Sequence, residues 1–158
     1  MKIKQLLDED FCNYKLASMF IGFPTCTFKC EKDCGKKICQ NSALATAPDV
    51  EISTDEIVKR YTANNLTSAI VCGGLEPFDS FDDLISLISE FRNYTDNDIV
   101  IYTGYYAPEI LDKLCDISQF KNIVIKFGRY IPGQKPHFDD VLGVELASDN
   151  QYAKRISK

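Results

Sequence analysis

The chain repeats one pattern: a short apolar run, a loop rich in glycine or cysteine, then a segment with helical periodicity. The runs are LASMFIGF at 16–23, TSAIVC at 67–72, DIVIYT at 98–103 and NIVIKF at 122–127, and residues 141–147 offer a fifth. Runs this short and this uniformly apolar read as strands covered on both faces. Between them, Ser53 with Glu56 three positions on has the form of a capping box, opening a helix with Ile57 and Tyr61 one turn apart and reaching about residue 64. Asp79 or Ser80 can cap a second helix through Leu84, Ile88 and Phe91, and Pro108 opens a third that ends near Ile117. Such alternation predicts an α/β fold: a parallel sheet of about five strands with flanking helices, open or curled into a partial (βα) barrel. A complete eight-unit barrel does not fit in 158 residues.

In folds of this kind, sites lie beyond the carboxyl ends of the strands. Those ends carry the unusual residues here: a cysteine loop, Gly73-Gly74-Leu75-Glu76-Pro77, Thr103-Gly104-Tyr105, Gly128-Arg129-Tyr130 and Ser148-Asp149-Asn150-Gln151. The length suits a single domain over 1–158, with a short polar arm at about 1–14. A net charge of -5 lacks the basic stripe that nucleic acid requires, so no nucleic-acid partner is expected. No segment approaches the ~20 apolar residues of a membrane span, and the acids of MKIKQLLDED occupy the place of a signal peptide's apolar core. The expectation is a cytoplasmic protein without a membrane partner.

In that compartment thiols stay reduced, so the seven cysteines point to metal binding or catalysis, not to disulfides. Cys12, Cys72 and Cys115 are scattered among apolar neighbours and read as small core residues. Cys26, Cys30, Cys34 and Cys39 fall within fourteen positions. Zinc normally takes paired knuckles, and no second pair or histidine lies downstream of these four, although together they could still form a structural zinc loop. Iron–sulfur chemistry is the other use of such thiolates. Three cysteines on a four-iron cluster leave one iron open to a chelating small molecule.

The order of these elements resembles the radical S-adenosylmethionine superfamily, and most of all the short activating enzymes of anaerobic ribonucleotide reductase. Its carriers are the cysteine loop ending in Cys39-Gln40-Asn41, the 73–77 glycine loop, Ile101-Tyr102-Thr103-Gly104-Tyr105, and Ala147-Ser148-Asp149-Asn150-Gln151. The resemblance implies a 4Fe-4S cluster on Cys26, Cys30 and Cys39, with Cys34 as the alternative third ligand. The family's cysteines have three and then two residues between them, whereas eight residues stand between Cys30 and Cys39, and Cys34 is one residue too far. Cys39 matches better, preceded by apolar Ile38 and followed by Gln-Asn. By the same resemblance, S-adenosylmethionine would be held by Gly73, Gly74, Glu76, Tyr102, Thr103, Ser148 and Asn150, the glycine loop taking the methionine amino group. That loop departs from the family's Gly-Gly-Glu-Pro by the inserted Leu75.

The activity implied is reductive cleavage of S-adenosylmethionine to a 5′-deoxyadenosyl radical, with flavodoxin or ferredoxin as electron donor and a glycyl-radical protein as partner. A radical enzyme acting on a small molecule, and a non-enzymatic zinc module, are the rival readings. Read from the residues alone, Gly73 and Gly74 are more often a strand-to-helix turn than a ligand cradle, Tyr102 and Thr103 could equally be strand-end packing, Ser148 and Asn150 could equally be part of a polar turn, and His137 reads as a surface residue; Lys126 and Arg129, near a strand end, could meet the carboxylate of an acidic substrate or ligand but read first as solvated.

Overall fold

The computed structural model describes residues 1–157. Its strands are β1 (Lys2–Ile3), β2 (Gln5–Asp10), β3 (Ser18–Phe23), β4 (Val50–Glu51), β5 (Ala69–Gly74), β6 (Asp98–Tyr102), β7 (Ile123–Phe127), β8 (His137–Asp139), β9 (Val144–Leu146) and β10 (Tyr152–Arg155). Its helices are α1 (Lys29–Cys34), α2 (Ser42–Thr46), α3 (Thr54–Ala63), α4 (Phe81–Arg92) and α5 (Leu111–Ile117). The fold is α/β, built on a mixed six-stranded sheet ordered β10-β7-β6-β5-β3-β2. β3, β5, β6 and β7 run parallel, and β2 and β10 flank them antiparallel. The pairing leaves β2 and β10 as separate edges, so the sheet is open.

The parallel strands are sorted by side-chain size. Successive residues of a strand face opposite sides of a sheet. Met19, Ile21 and Phe23 of β3, Ile70 and Cys72 of β5, Ile99 and Ile101 of β6, and Ile123, Ile125 and Phe127 of β7 join one buried cluster with Ile57, Tyr61, Leu84, Leu87, Ile88, Phe91 and Ile117 of α3, α4 and α5. The alternate positions are smaller: Ala69, Val71, Val100 and Val124 pack with Tyr14, Leu142 and Leu146. All three crossover helices therefore cover one face. The monotonic order β3-β5-β6-β7 requires this, because crossovers of one hand that advance in one direction land on the same side. The second face is left to the 11–17 segment and the β8–β9 hairpin.

Two expectations need correction. The fifth parallel strand at 141–147 is instead β9, paired antiparallel with β8, and the sheet's remaining strands are antiparallel edges. Nor is the 1–14 segment a plain arm: β1 pairs with β4, and β2 pairs with β3. An edge strand has one neighbour and an open side that favours charge. QLLDED therefore carries no long apolar run, and Asp8 within it is held by Arg60 of α3 at 2.6 and 3.0 Å. His137, expected in solvent, lies half-buried in β8, and Cys12 and Cys115 are exposed where core positions were expected. Among the described residues no helix is long and apolar enough to cross a membrane.

Helix starts follow the sequence in one case and depart from it in another. Ser53 caps α3, its hydroxyl accepting the Glu56 N–H at 3.1 Å. At the next helix neither Asp79 nor Ser80 serves as a side-chain cap. The turn at Pro77–Ser80 is capped instead by Glu76, whose carboxylate accepts the Phe78 N–H at 3.1 Å.

Gly74 is the most constrained backbone position near the strand ends. It has φ +80°, and a Cβ there would sit 2.8 Å from the Gly22 Cα of neighbouring β3. Backbone cannot yield as a side-chain tip can. Gly74→Ala is expected to destabilise the protein by about 1–3 kcal/mol, read as a lowered urea midpoint at unchanged m; an unchanged midpoint would mean that the two strands part at no cost.

Candidate metal centre

The cysteine loop leaves β3 at Phe23 and is tied down at its first residues. The Asp79 carboxylate accepts the Thr27 N–H at 2.7 Å and the Tyr105 hydroxyl at 2.7 Å, Ser80 and Thr25 share a hydroxyl hydrogen bond, and the Thr25 carbonyl accepts the Glu76 N–H. Asp79 and Ser80 thus hold the loop in place of capping α4. The chain then turns through Phe28 at φ 51° into α1, which carries Cys30 and ends at Gly35 with φ 67°. Such a left-handed residue ends a helix with little strain only when it lacks a Cβ. Glu31 reaches forward from α1, one carboxylate oxygen accepting the N–H groups of both Ile38 and Cys39 at 3.1 Å.

This fold-back brings Cys39 to the side of Cys30. Cys26, Cys30 and Cys39 line one cavity of about 390 Å³ at the carboxyl ends of the parallel strands. Cys34 is not among its lining residues, and its thiol is directed at the Lys36 carbonyl, 3.7 Å away. The Phe28 N–H donates to the Cys26 sulfur at 3.2 Å. Burial pushes the Cys26 thiol up to about 12, with the charges of Glu76 and Asp79 adding to it. Burial likewise raises Cys30, with Cys39 as the next cause. In the metal-free chain these thiols hold their protons, and a bound metal would displace them.

The cavity wall opposite is made by strand ends. Gly73 lies between Phe20 and Tyr102: a Cβ there would meet the Phe20 ring at 3.2 Å and the Tyr102 Cβ at 3.5 Å, so its absence opens the floor. The Gly74 carbonyl accepts the Asn41 side chain at 2.6 Å, joining the glycine loop to the segment just past Cys39. Glu76 is 6% exposed and accepts from Phe78 N–H, from the Thr103 hydroxyl at 2.8 Å and from the Gly104 N–H at 2.8 Å. Burial nevertheless raises its carboxyl to about 7, the three donors acting against the shift.

Lys126 and Arg129, read from the sequence as solvated, are 7% and 6% exposed and line the same cavity. Lys126 donates to the Gly128 carbonyl at 2.7 Å, and burial lowers it to about 8 despite the nearby Glu76 charge. Arg129 spans the rim, pairing with Asp33 of α1 at 2.7 Å and with both Glu109 oxygens at 2.7 and 2.9 Å, while Glu109 also meets Lys29. The structure therefore gathers Gly73, Gly74, Glu76, Tyr102 and Thr103 around the cysteines, together with Lys126, Arg129 and Gln151, which stood at strand ends in the sequence but outside the expected ligand set, and Cys12 and Asn13, which no sequence signal marked. Ser148 and Asn150 are not in the cavity wall. Ser148 is fully buried and accepts the Ile131 N–H, and Asn150 donates to the Tyr106 hydroxyl and the Arg129 carbonyl.

Among the described residues no three His, Cys, Asp or Glu side chains converge on a point that could hold a single metal ion. A four-iron cluster asks for something different, since each thiolate binds its own iron and the sulfurs stand apart around a body. Three thiols on one cavity, an amide N–H aimed at one sulfur, and a glycine whose Cβ would fill the floor fit that group. A family model for a 4Fe-4S single cluster domain matches residues 17–145, which include the four clustered cysteines, the glycine loop and the ends of β3, β5, β6 and β7. No curated protein and no solved structure matches the chain.

The buried carboxyl of Glu76 makes stability depend on pH with a definite sign. Its folded-state value lies above the ordinary 4.5, so the folded chain binds the proton more tightly. Its contribution is complete below pH 4.5 and is lost as pH rises through about 7. Urea unfolding of the metal-free protein should show stability falling between pH 5 and pH 7.5, and Glu76→Gln should flatten that fall by up to about 3 kcal/mol. Parallel profiles for the two proteins would show that Glu76 titrates normally.

Proposed function

This chain belongs to the 4Fe-4S single cluster domain family, and from that premise we propose that it is a radical S-adenosylmethionine enzyme that activates a glycyl-radical protein such as anaerobic ribonucleotide reductase. The family is one found in proteins of the radical S-adenosylmethionine type. The observation that carries the reading is the set of three thiols, Cys26, Cys30 and Cys39, on a cavity whose wall also holds a buried carboxylate and a buried ammonium. When bound, a four-iron cluster on three thiolates supplies a low-potential electron and one iron free to take the amino and carboxylate groups of S-adenosylmethionine.

The chain's own residues suit that ligand. An α-amino acid presents one positive and one negative group, and the cavity answers with Glu76 and Lys126, both removed from water where charge complementarity counts most. Glu76 is oriented by Phe78, Thr103 and Gly104, so it meets an ammonium without first rearranging. Gly73 leaves the floor between Phe20 and Tyr102 open to a flat group. The open sheet does not enclose the cavity, which suits a protein substrate brought to the mouth more than a small one that must be surrounded. The electron would come from flavodoxin or ferredoxin.

A structural zinc loop would draw on Cys34, whose thiol faces the Lys36 carbonyl outside the cavity. The two readings part under metal analysis. Protein reconstituted anaerobically with iron and sulfide is expected to hold about four irons per chain and, with dithionite and S-adenosylmethionine, to form 5′-deoxyadenosine. Cys39→Ala should lose the cluster and Cys34→Ala keep it. Tight zinc that needs all four cysteines would end the proposal, and a full cluster without 5′-deoxyadenosine would reduce it to an electron carrier. With a glycyl-radical partner present, electron paramagnetic resonance should show the glycyl signal.

A further inference from the structure

The segment 26–39 carries four lysines against two acids in a chain whose net charge is -5. Its acids are both engaged: Glu31 accepts from the Ile38 and Cys39 amides, and Asp33, although exposed, pairs with Arg129. One lysine, Lys29, is taken by Glu109. Lys32, Lys36 and Lys37 remain, all exposed, and among the described residues none of them forms an ion pair. They are absent from the cavity wall, although Lys32 lies two residues from Cys30 and Lys37 two from Cys39. Two residues of chain reach at most about 7 Å. The result is a patch of uncompensated positive charge on the outer side of the loop whose inner side presents the three thiols.

We propose that Lys32, Lys36 and Lys37 form the docking surface for an acidic electron-carrier protein that reduces the cluster. The inference rests on the reading of Cys26, Cys30 and Cys39 as cluster ligands. A donor must approach the cluster while the cavity is occupied by its small ligand and opened to substrate, and the outer side of the loop is the approach that competes with neither. The chain's net charge of -5 repels an acidic carrier and the patch attracts it, so the field orients the encounter toward the short path. One electron passes from the carrier to the cluster; the carrier is oxidised, the cluster reduced, and no proton or leaving group moves.

The test compares the reconstituted protein with Lys32→Glu/Lys36→Glu/Lys37→Glu and with a charge-matched control, Lys2→Glu/Lys135→Glu/Lys154→Glu, on exposed positions elsewhere. Cluster bleaching is followed in a stopped-flow instrument with a reduced acidic plant-type ferredoxin, over a range of salt. The loop variant should keep its iron and sulfide, be reduced by dithionite at the unaltered rate, and be reduced by ferredoxin at least tenfold more slowly at low salt, with the salt dependence gone. The control should behave as the parent. The triple Lys→Gln variant, a milder change, should fall between. Equal ferredoxin rates in parent and loop variant, or equal slowing in both charge-reversed proteins, would overturn the docking surface. Calorimetric binding of oxidised ferredoxin reads the surface without electron transfer: binding lost only in the loop variant supports it, and binding retained there overturns it. Absence of iron and sulfide from the parent would instead be failure of the cluster reading.

Discussion

The architecture depends on four parallel strands that turn large side chains one way and small ones the other. The isoleucines, Met19 and the two phenylalanines fill the side on which α3, α4 and α5 pack. Ala69, Val71, Val100 and Val124 give the other side little bulk. A helix needs a deep apolar groove to bury its stripe, whereas a hairpin and a loop can lie on a shallow surface. The same parity continues to the strand ends, where the shallow side presents Gly73, Tyr102 and Lys126 in place of aliphatics, beside Phe20 in the row of Val71. The cavity is the continuation of that side beyond the point where packing residues stop.

Holding such a cavity open among strand ends requires polar groups that satisfy one another, since a buried donor or acceptor left alone costs about 1–3 kcal/mol. Glu76 meets this need for three donors at once, from Phe78, Thr103 and Gly104, and so fastens the end of β5 to the end of β6. Arg129 does the same at the rim, its guanidinium spread over Asp33, Glu109 and the Gly104 carbonyl and stacked over Tyr106. Both residues commit their charge to the scaffold, yet both remain on the cavity surface. A ligand would therefore meet charges that are already fixed in direction.

Much of this could be read from the sequence, and the residues that escaped share a common cause. The parallel strands and the three crossover helices follow from apolar runs and periodicity, and the site's location follows from strand polarity. The strand parity within NIVIKF already assigns Lys126 to the face opposite the three helices, with Val124, so its burial was legible to that rule although composition alone suggested solvent. Asp79, Glu31 and Arg129 were not legible. Each bonds across 7 to 96 positions of sequence, and no local pattern distinguishes such a partner from a surface charge. The edge strands β2 and β10 escaped because one neighbour suffices for an edge and the apolar signature is then absent.

Eight residues stand between Cys30 and Cys39, yet both thiols line one cavity. A spacing that long would carry the third cysteine away from the first two if the chain simply continued. Instead α1 rises through Cys34, Gly35 reverses it in the left-handed region, and the Glu31 carboxylate draws the amides of Ile38 and Cys39 back to the helix it started from. A carboxylate accepting two N–H groups forms charge-assisted hydrogen bonds, roughly twice as strong as neutral ones. The intervening residues thus close a loop beside the cavity without displacing its end. Cys34, at the outer end of that excursion, is left outside the cavity for the same reason that Cys39 is brought into it.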